Sequence, residues 1–557
     1  MPPLGSGAML PRIALPPSHA VLLLIALAFI APGLVGHDPW RAFDVQTIEV
    51  AHQMQLTGDW VVPRIAGEPW LEDPPFYHWL ALAFGSAFGW LIGFHNAARI
   101  ASGVAMFAAL WFLYLAARHS VPTGATKAER RNAGAGATLL LLGSIGLIVH
   151  AHEAVPDMAA LAAACAALCL LFVGRKRPWR SGLAFGGALG IAFLSTGPVV
   201  PAVVGAAALL AHLACEAWRT PRALRFFAAA LAAFALVAAS WPAALALRAP
   251  ELARAWWEIA VQPRGDFAEN LRYYLGVAGW FAWPAWPLAA WAVWTLRREW
   301  RTPRVFLPLA AALLALPAIA WAGPRQDINA LALLAPLALL GAHAFGRLRR
   351  GAANSLDYFG VMTFSFFTGL LWLGYVAMTA GMPPKIAHNI ERAAPGFVAR
   401  FEPLPFALAL ALAIAWFYLV FRTERSPTRG VTRWAAGVAL LWATFAMLAL
   451  PLADHLKSYR GVALQLKAAL PADAGCIAQF ELAPPQRAAL SYHAGIRTVP
   501  VPAPAAAPGA AAPACRFLIV QGKPKEERAP GPGWRKLAEA GRPGDKGERY
   551  RLYRYGG

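Results

Sequence analysis

Long apolar runs constrain this chain more than any other feature. Thirteen of them approach the roughly 20 residues that a helix needs to cross a bilayer. They fall at about 18–36, 98–117, 136–151, 157–173, 181–196, 197–216, 223–245, 275–296, 303–321, 328–346, 358–380, 404–421 and 432–452. Of 557 residues, 58% are hydrophobic and 14% charged, with a mean hydropathy of +0.47. A soluble chain carries about 25% charged residues. A water-soluble enzyme and a disordered chain are both excluded, and 23 Trp and 30 Phe suit a lipid-facing protein with interfacial anchors. The run after Arg12 reads as an uncleaved first span.

The formal net charge of +21 does not point to nucleic acid. Basic residues collect between apolar runs, at 118–131, 175–180, 219–225, 297–304, 347–350 and 422–433. Alternate loops are therefore basic, which places them on the cytoplasmic side, with the C-terminus outside. The run at 76–93 would reverse that order if it spanned. It is aromatic and broken by glycine, and is expected to be an interfacial helix. No basic face, finger or RNA-binding signature accompanies the charge.

Acids gather on the opposite side. The first outer loop, 37–97, carries Asp38, Asp44, Glu49, Asp59, Glu68, Glu72 and Asp73, with a helix expected over 40–56 lying in the membrane interface. Further outer turns hold His150, His152, Glu153 and Asp157, then Thr196, then Trp256 to Tyr274 with Arg264, Asp266 and Arg272, then Arg325. Ionisable groups close to hydrocarbon are costly and mark function by default. An active cavity is expected on the outer face. His150, Glu153 and Asp157 have the i, i+3, i+7 spacing of a divalent-metal site on a helix face, although Pro156 interrupts that helix and no fourth ligand accompanies them. No other cofactor is indicated.

From 454 the composition changes. GCIAQF, CRFLIV and RYRLYRY read as strands, 485–494 as a helix, and 500–514 as a Pro/Ala linker. The expected organisation is a transmembrane domain over 1–453 and a small outer α/β domain over 454–557. Cys165, Cys169 and Cys215 lie in apolar runs and read as core residues. Cys476 and Cys515 each precede an expected strand on the oxidising side, and a disulfide between them is expected, with two buried free thiols as the alternative.

The stretch TGDWVVPRIAGEPWLEDPPFYHW, 57–79, resembles the signature loop of lipid-linked-sugar transferases. These are the lipid A aminoarabinose transferases and their protein-mannosyltransferase relatives, membrane glycosyltransferases of the GT-C fold. The resemblance implies a polytopic helical membrane protein with an extracytoplasmic α/β domain, in the bacterial inner membrane. It implies transfer of a sugar from a polyprenyl-phosphate donor to lipid A, a glycan or a protein on the periplasmic side, with inversion at the anomeric carbon. The family's early acidic pair falls on Phe43 and Asp44, which makes Asp44 the implied catalytic acid. Trp70, Glu72, Tyr77 and Asp157 are implied to line the cavity. Two departures stand out: Asp73 occupies the place of a family lysine before Pro-Pro, and Thr196 that of a lysine in a later turn.

The chemistry agrees from another direction. A phosphate leaving group needs cationic hydrogen-bond donors, and arginine matches its oxygens with a planar fork; Arg64 and Arg325 are the expected donors. A hydroxyl acceptor needs a carboxylate near the attacking oxygen. A transporter or flippase of lipid-linked sugars, and a non-catalytic paralogue that binds them, are the other readings.

Overall fold

The computed structural model describes residues 18–40, 42–174, 177–424, 428–501, 515–525 and 530–556. Most of the 500–514 segment, together with Arg175, Lys176 and Arg425, lies outside them. The chain is mostly helical, and among the described residues eight helices are long and apolar enough to cross a membrane. They are Phe94–Ser120, Pro156–Val173, Pro221–Arg248, Pro303–Ala322, the segment Asp327–Arg347, Arg350–Ala380, Pro403–Arg422 and Arg429–Leu448. Proline opens several of them, where its fixed φ suits the first helical position and its missing N–H removes an unsatisfied donor.

Eight is fewer than thirteen, and local chemistry accounts for the difference. The first run stops as a helix at Ile30, before Pro32 and Gly33. The 136–151 run breaks at 143–146 into Lys127–Leu142 and Leu147–His150. The 275–296 run breaks before Pro284 into Phe267–Phe281 and Ala285–Thr295. Pro178–Thr196 is long but interrupted by polar and glycine residues, and Val199–Ala214 is short.

Small residues set the closest helix pair. Gly182, Gly186 and Gly190 recur every fourth residue on Pro178–Thr196 and face Pro221–Arg248. A Cβ at Gly186 would stand 2.0 Å from the Ala230 carbonyl oxygen, so only glycine lets these backbones approach.

Outside the bundle, the helix Phe43–Thr57 corrects one expectation. It does not lie along a lipid surface. Asp44, Val45, Ile48, Glu49, Val50, Ala51 and Met54 are all buried, because the helix is wedged between Phe76–Ile92 and the C-terminal helix Pro484–Ala494. The C-terminal region forms a sheet of five strands in the spatial order Val499–Pro500, Ile477–Phe480, Phe517–Gly522, Arg549–Tyr555, Trp534–Ala540. The first two pairings are parallel and the last two antiparallel. Ile477 pairs with Phe517, which sets the preceding Cys476 beside Cys515; the two form a disulfide with Cα atoms 5.0 Å apart. One apolar core runs from Ile48 and Tyr77 through Leu466 to Ile519 and Leu552, so the outer loop and the C-terminal sheet share their packing.

Candidate active site

Helix Phe43–Thr57 ends at Gly58, and the next residues cap themselves. Asp59 Oδ1 accepts the N–H groups of Val61 and Val62, both at 3.2 Å. Ala66 and Gly67, with φ of 53° and 89°, make the tight turn of a two-stranded ribbon, Arg64–Ile65 against Glu68–Pro69. Two consecutive residues at positive φ are what a two-residue hairpin requires. The Trp70 N–H donates to the Pro63 carbonyl at 2.8 Å, closing the ribbon. The chain leaving it carries Trp70, Glu72 and Asp73 into a cavity of about 360 Å³.

This cavity sits at the outer ends of Pro156–Val173, Pro178–Thr196 and Pro303–Ala322. Phe43, Trp70, Glu72, Asp73, Asp157, Thr196 and Arg264 line it, with Pro484 and Pro485 of the C-terminal region at its edge. The wall carrying Arg264 is tied down by buried polar groups. The Asn270 amide donates to the carbonyls of Arg264 at 2.7 Å and Ala320 at 3.0 Å. The Tyr274 hydroxyl donates to Pro324 O at 2.5 Å, and Asn329 donates to both Tyr274 and Pro324 O at 3.0 Å. Arg264 approaches Glu72 at 3.9 Å. Three carboxylates thus share one cavity with one guanidinium. Burial, then the charges of Asp157 and Glu72, push the Asp73 carboxyl up to about 8, with Arg264 opposing them. Asp73 therefore holds a proton near neutral pH.

The other implied site residues lie elsewhere. Asp44 does not line the cavity. It is fully buried against Arg99, with Oδ2 2.7 Å from Nη2, and it also accepts the N–H groups of Ala154 at 2.8 Å and Trp40 at 3.1 Å. Burial raises its proton affinity, but the Arg99 charge and these hydrogen bonds outweigh that and hold the carboxyl below the usual carboxylate range. Its neighbour Phe43 takes the cavity-facing position. Tyr77 is buried and donates to Ser102 Oγ at 2.5 Å, since the Ser102 proton is already given to Glu153 O at 2.6 Å. Arg64 donates to Gly67 O at 3.3 Å and lies 3.9 Å from Asp59. Arg325 is half-exposed and pairs with Glu269 at 3.1 Å, outside the cavity lining.

Among the described residues no three His, Cys, Asp or Glu side chains are placed to hold a metal ion. His150 instead bridges Glu153 at 3.1 Å and Asp327 at 3.8 Å, while Asp157 faces the cavity. Arg264 is a cavity residue that the sequence gives no reason to prefer over its neighbours. It stands in the same outer turn as Arg272, and no local spacing separates the two; Arg264 is held on the wall by its N–H donating to Trp321 O at 3.2 Å and its carbonyl accepting from Asn270.

No protein-family model matches the chain. An undecaprenyl phosphate-alpha-4-amino-4-deoxy-L-arabinose arabinosyl transferase of Pseudomonas aeruginosa is 28% identical over 453 residues, covering 78% of this chain and 76% of the relative. The enzyme of that name from Aeromonas salmonicida is 26% identical over 443 residues, covering 74% and 73%. The crystal structure of ArnT from Cupriavidus metallidurans bound to undecaprenyl phosphate superposes with a TM-score of 0.65 at 18% identity, over 96% of each chain. Its apo form gives 0.66 at 16% identity, over 96% of this chain and 97% of the other. The chain has the fold of these structures along almost its whole length.

Proposed function

We propose that this chain is a multi-pass inner-membrane glycosyltransferase that moves a sugar from undecaprenyl phosphate to lipid A or a related acceptor on the periplasmic face, with inversion. One observation carries the reading: Glu72, Asp73, Asp157 and Arg264 share a cavity at the outer ends of the spans, in a chain similar over 78% of its length to an arabinosyl transferase. A transporter would place such groups near mid-membrane on broken helices.

The step breaks the bond between the anomeric carbon and the donor phosphate oxygen and forms one to the acceptor oxygen. The bond pair leaves with the phosphate, and the acceptor proton passes to a carboxylate. Asp157 is the base in this proposal, because it faces the cavity without an arginine partner, whereas Glu72 is engaged with Arg264. Arg264 takes the role expected of Arg64 and Arg325, giving the departing phosphate a charged fork. Asp73, where the resemblance puts a lysine, is protonated near neutral pH and donates a hydrogen bond to a phosphate oxygen instead of repelling it. Asp44 orders the outer helix through Arg99 rather than touching substrate.

The test is an assay of purified protein with undecaprenyl-phosphate aminoarabinose and lipid A, read by product mass. Transfer is expected. Donor binding without transfer, in line with Phe43 standing where the family carries an acid, overturns this reading in favour of a binding paralogue.

A further inference from the structure

The outer cavity has a counterpart at the other end of the same helices. A second cavity, about 920 Å³, lies where Pro156–Val173 ends and where Pro178–Thr196, Pro221–Arg248 and Pro303–Ala322 begin. Asp157 and Val173 bound the two cavities on one helix, about 24 Å apart at 1.5 Å per residue. Four of the basic inner loops meet here, which places the second cavity at the cytoplasmic face.

Its lining is of opposite sign. Arg130, Arg222 and Arg304 stand against one acid, Glu299, which is already paired with Arg304. Arg130 donates to the carbonyls of Pro122 at 3.0 Å and Thr123 at 2.8 Å, fixing its charge at the cavity edge. The exposed Arg222 side chain has no hydrogen bond or ion pair among the described residues. Three helices begin at this cavity, at Pro178, Pro221 and Pro303, and none has a side-chain cap. Their first-turn N–H groups and positive dipole ends add to the field.

A separate observation points to a missing acceptor. Trp218 lines the cavity and is 3% exposed, yet its indole N–H, buried, has no partner among the described residues. A buried donor left unpaired is costly, and native structures rarely leave one. The rest of the wall is mixed: Leu171, Phe172 and Phe226 form an apolar stretch that suits an acyl-glycerol, beside His119, Ser120 and Thr302.

We infer that the inner cavity binds the phosphate headgroup of an anionic glycerophospholipid from the cytoplasmic leaflet. Basic pockets between spans on that side suit such headgroups. The phosphate sits among Arg222, Arg304 and the uncapped helix starts, Trp218 Nε1 donates to one of its oxygens, and the acyl chains leave along the apolar wall.

The test uses the full chain, extracted in a non-ionic detergent, stripped of lipid, and incubated with phosphatidylglycerol, phosphatidylethanolamine or inorganic phosphate. Bound lipid is counted by native mass spectrometry. Phosphatidylglycerol is expected to be retained at least about fivefold over phosphatidylethanolamine, in line with one added charge contact. Arg222→Glu should lose at least about fivefold of that binding. Trp218→Phe, which keeps the ring and removes only the N–H, should lose about two- to tenfold. Arg297→Glu, on the same face but outside the cavity, should lose little. Equal retention of the two lipids, unchanged binding in both cavity variants, or an equal loss in Arg297→Glu overturns the inference. So does displacement of the lipid by millimolar phosphate, which reassigns the cavity to a free anion. None of these readouts depends on sugar transfer.

Discussion

The two cavities occupy opposite ends of one set of helices, and they differ in the sign of their charge and in how that charge is held. At the outer end, three carboxyl groups share with Arg264 a cavity whose wall is stitched by Asn270, Tyr274 and Asn329. At the inner end, three arginines surround one neutralised acid, and three helix starts are left without side-chain caps. The outer arrangement fits proton transfer and a fixed approach to a leaving group. The inner one fits retention of an anion. Basic residues that orient the chain in the bilayer thus also build a site, which charge counting along the sequence does not reveal.

The contrast breaks first at Asp157. Asp157→Asn is expected to lower turnover by about 10²–10⁴ while donor binding persists, measured as single-turnover rate against donor Kd. Wild-type turnover would move the base to Glu72. No change at the inner end should have a comparable effect on transfer.

Next in size is the frame behind the outer cavity. Arg99→Met leaves the Asp44 carboxylate buried without its partner and should destabilise the fold by about 3–5 kcal/mol, read as a fall in thermal midpoint in detergent. Asp44→Asn should lower the midpoint as well. If it instead keeps the midpoint and abolishes transfer, Asp44 returns to the chemistry.

The disulfide closes a separation of 39 residues, and its loss should cost about 2–4 kcal/mol. Wild-type protein should therefore melt lower with reductant, whereas a Cys476→Ser/Cys515→Ser variant should not respond. A reductant-independent melt in both would remove this link from the outer region.

Asp73 gives the comparison a pH axis. Its carboxyl is raised from 3.8 to about 8 in the folded chain. Between those values the folded state holds a proton that the unfolded state lacks, so stability from this group is full below pH 3.8 and lost as pH rises through 8. Asp73→Asn should flatten that decline and, keeping a donor, should also preserve transfer above pH 8. A decline of equal slope in the variant would assign it to other groups. The smallest effect is expected at the half-exposed pair of Glu269 and Arg325, 3.1 Å apart, where Arg325→Ala should cost under about 1 kcal/mol in the same melting assay.

Much of this molecule is determined by sequence alone. Apolar runs, alternate basic loops and the acids between them follow from the cost of placing charge in hydrocarbon, so the apolar helices are legible, although five of the thirteen runs are broken or short in the folded chain. The strands at 477, 517 and 549 are legible too, because alternation acts over a few positions, whereas the ribbon within 57–79 is not read from the sequence. Tertiary structure decided which neighbour faces which surroundings. Phe43 and Asp44 are adjacent, and only the packing of their helix turns one to the cavity and the other to Arg99. Arg264 and Arg325 are both arginines in outer turns, and only long-range bonds to Trp321 O and from Asn270 hold Arg264 on the wall. The inner cavity needs four loops, distant in sequence, to meet. Side-chain direction and charge pairing depend on contacts across the bundle, and a pattern read along one chain carries no information about them.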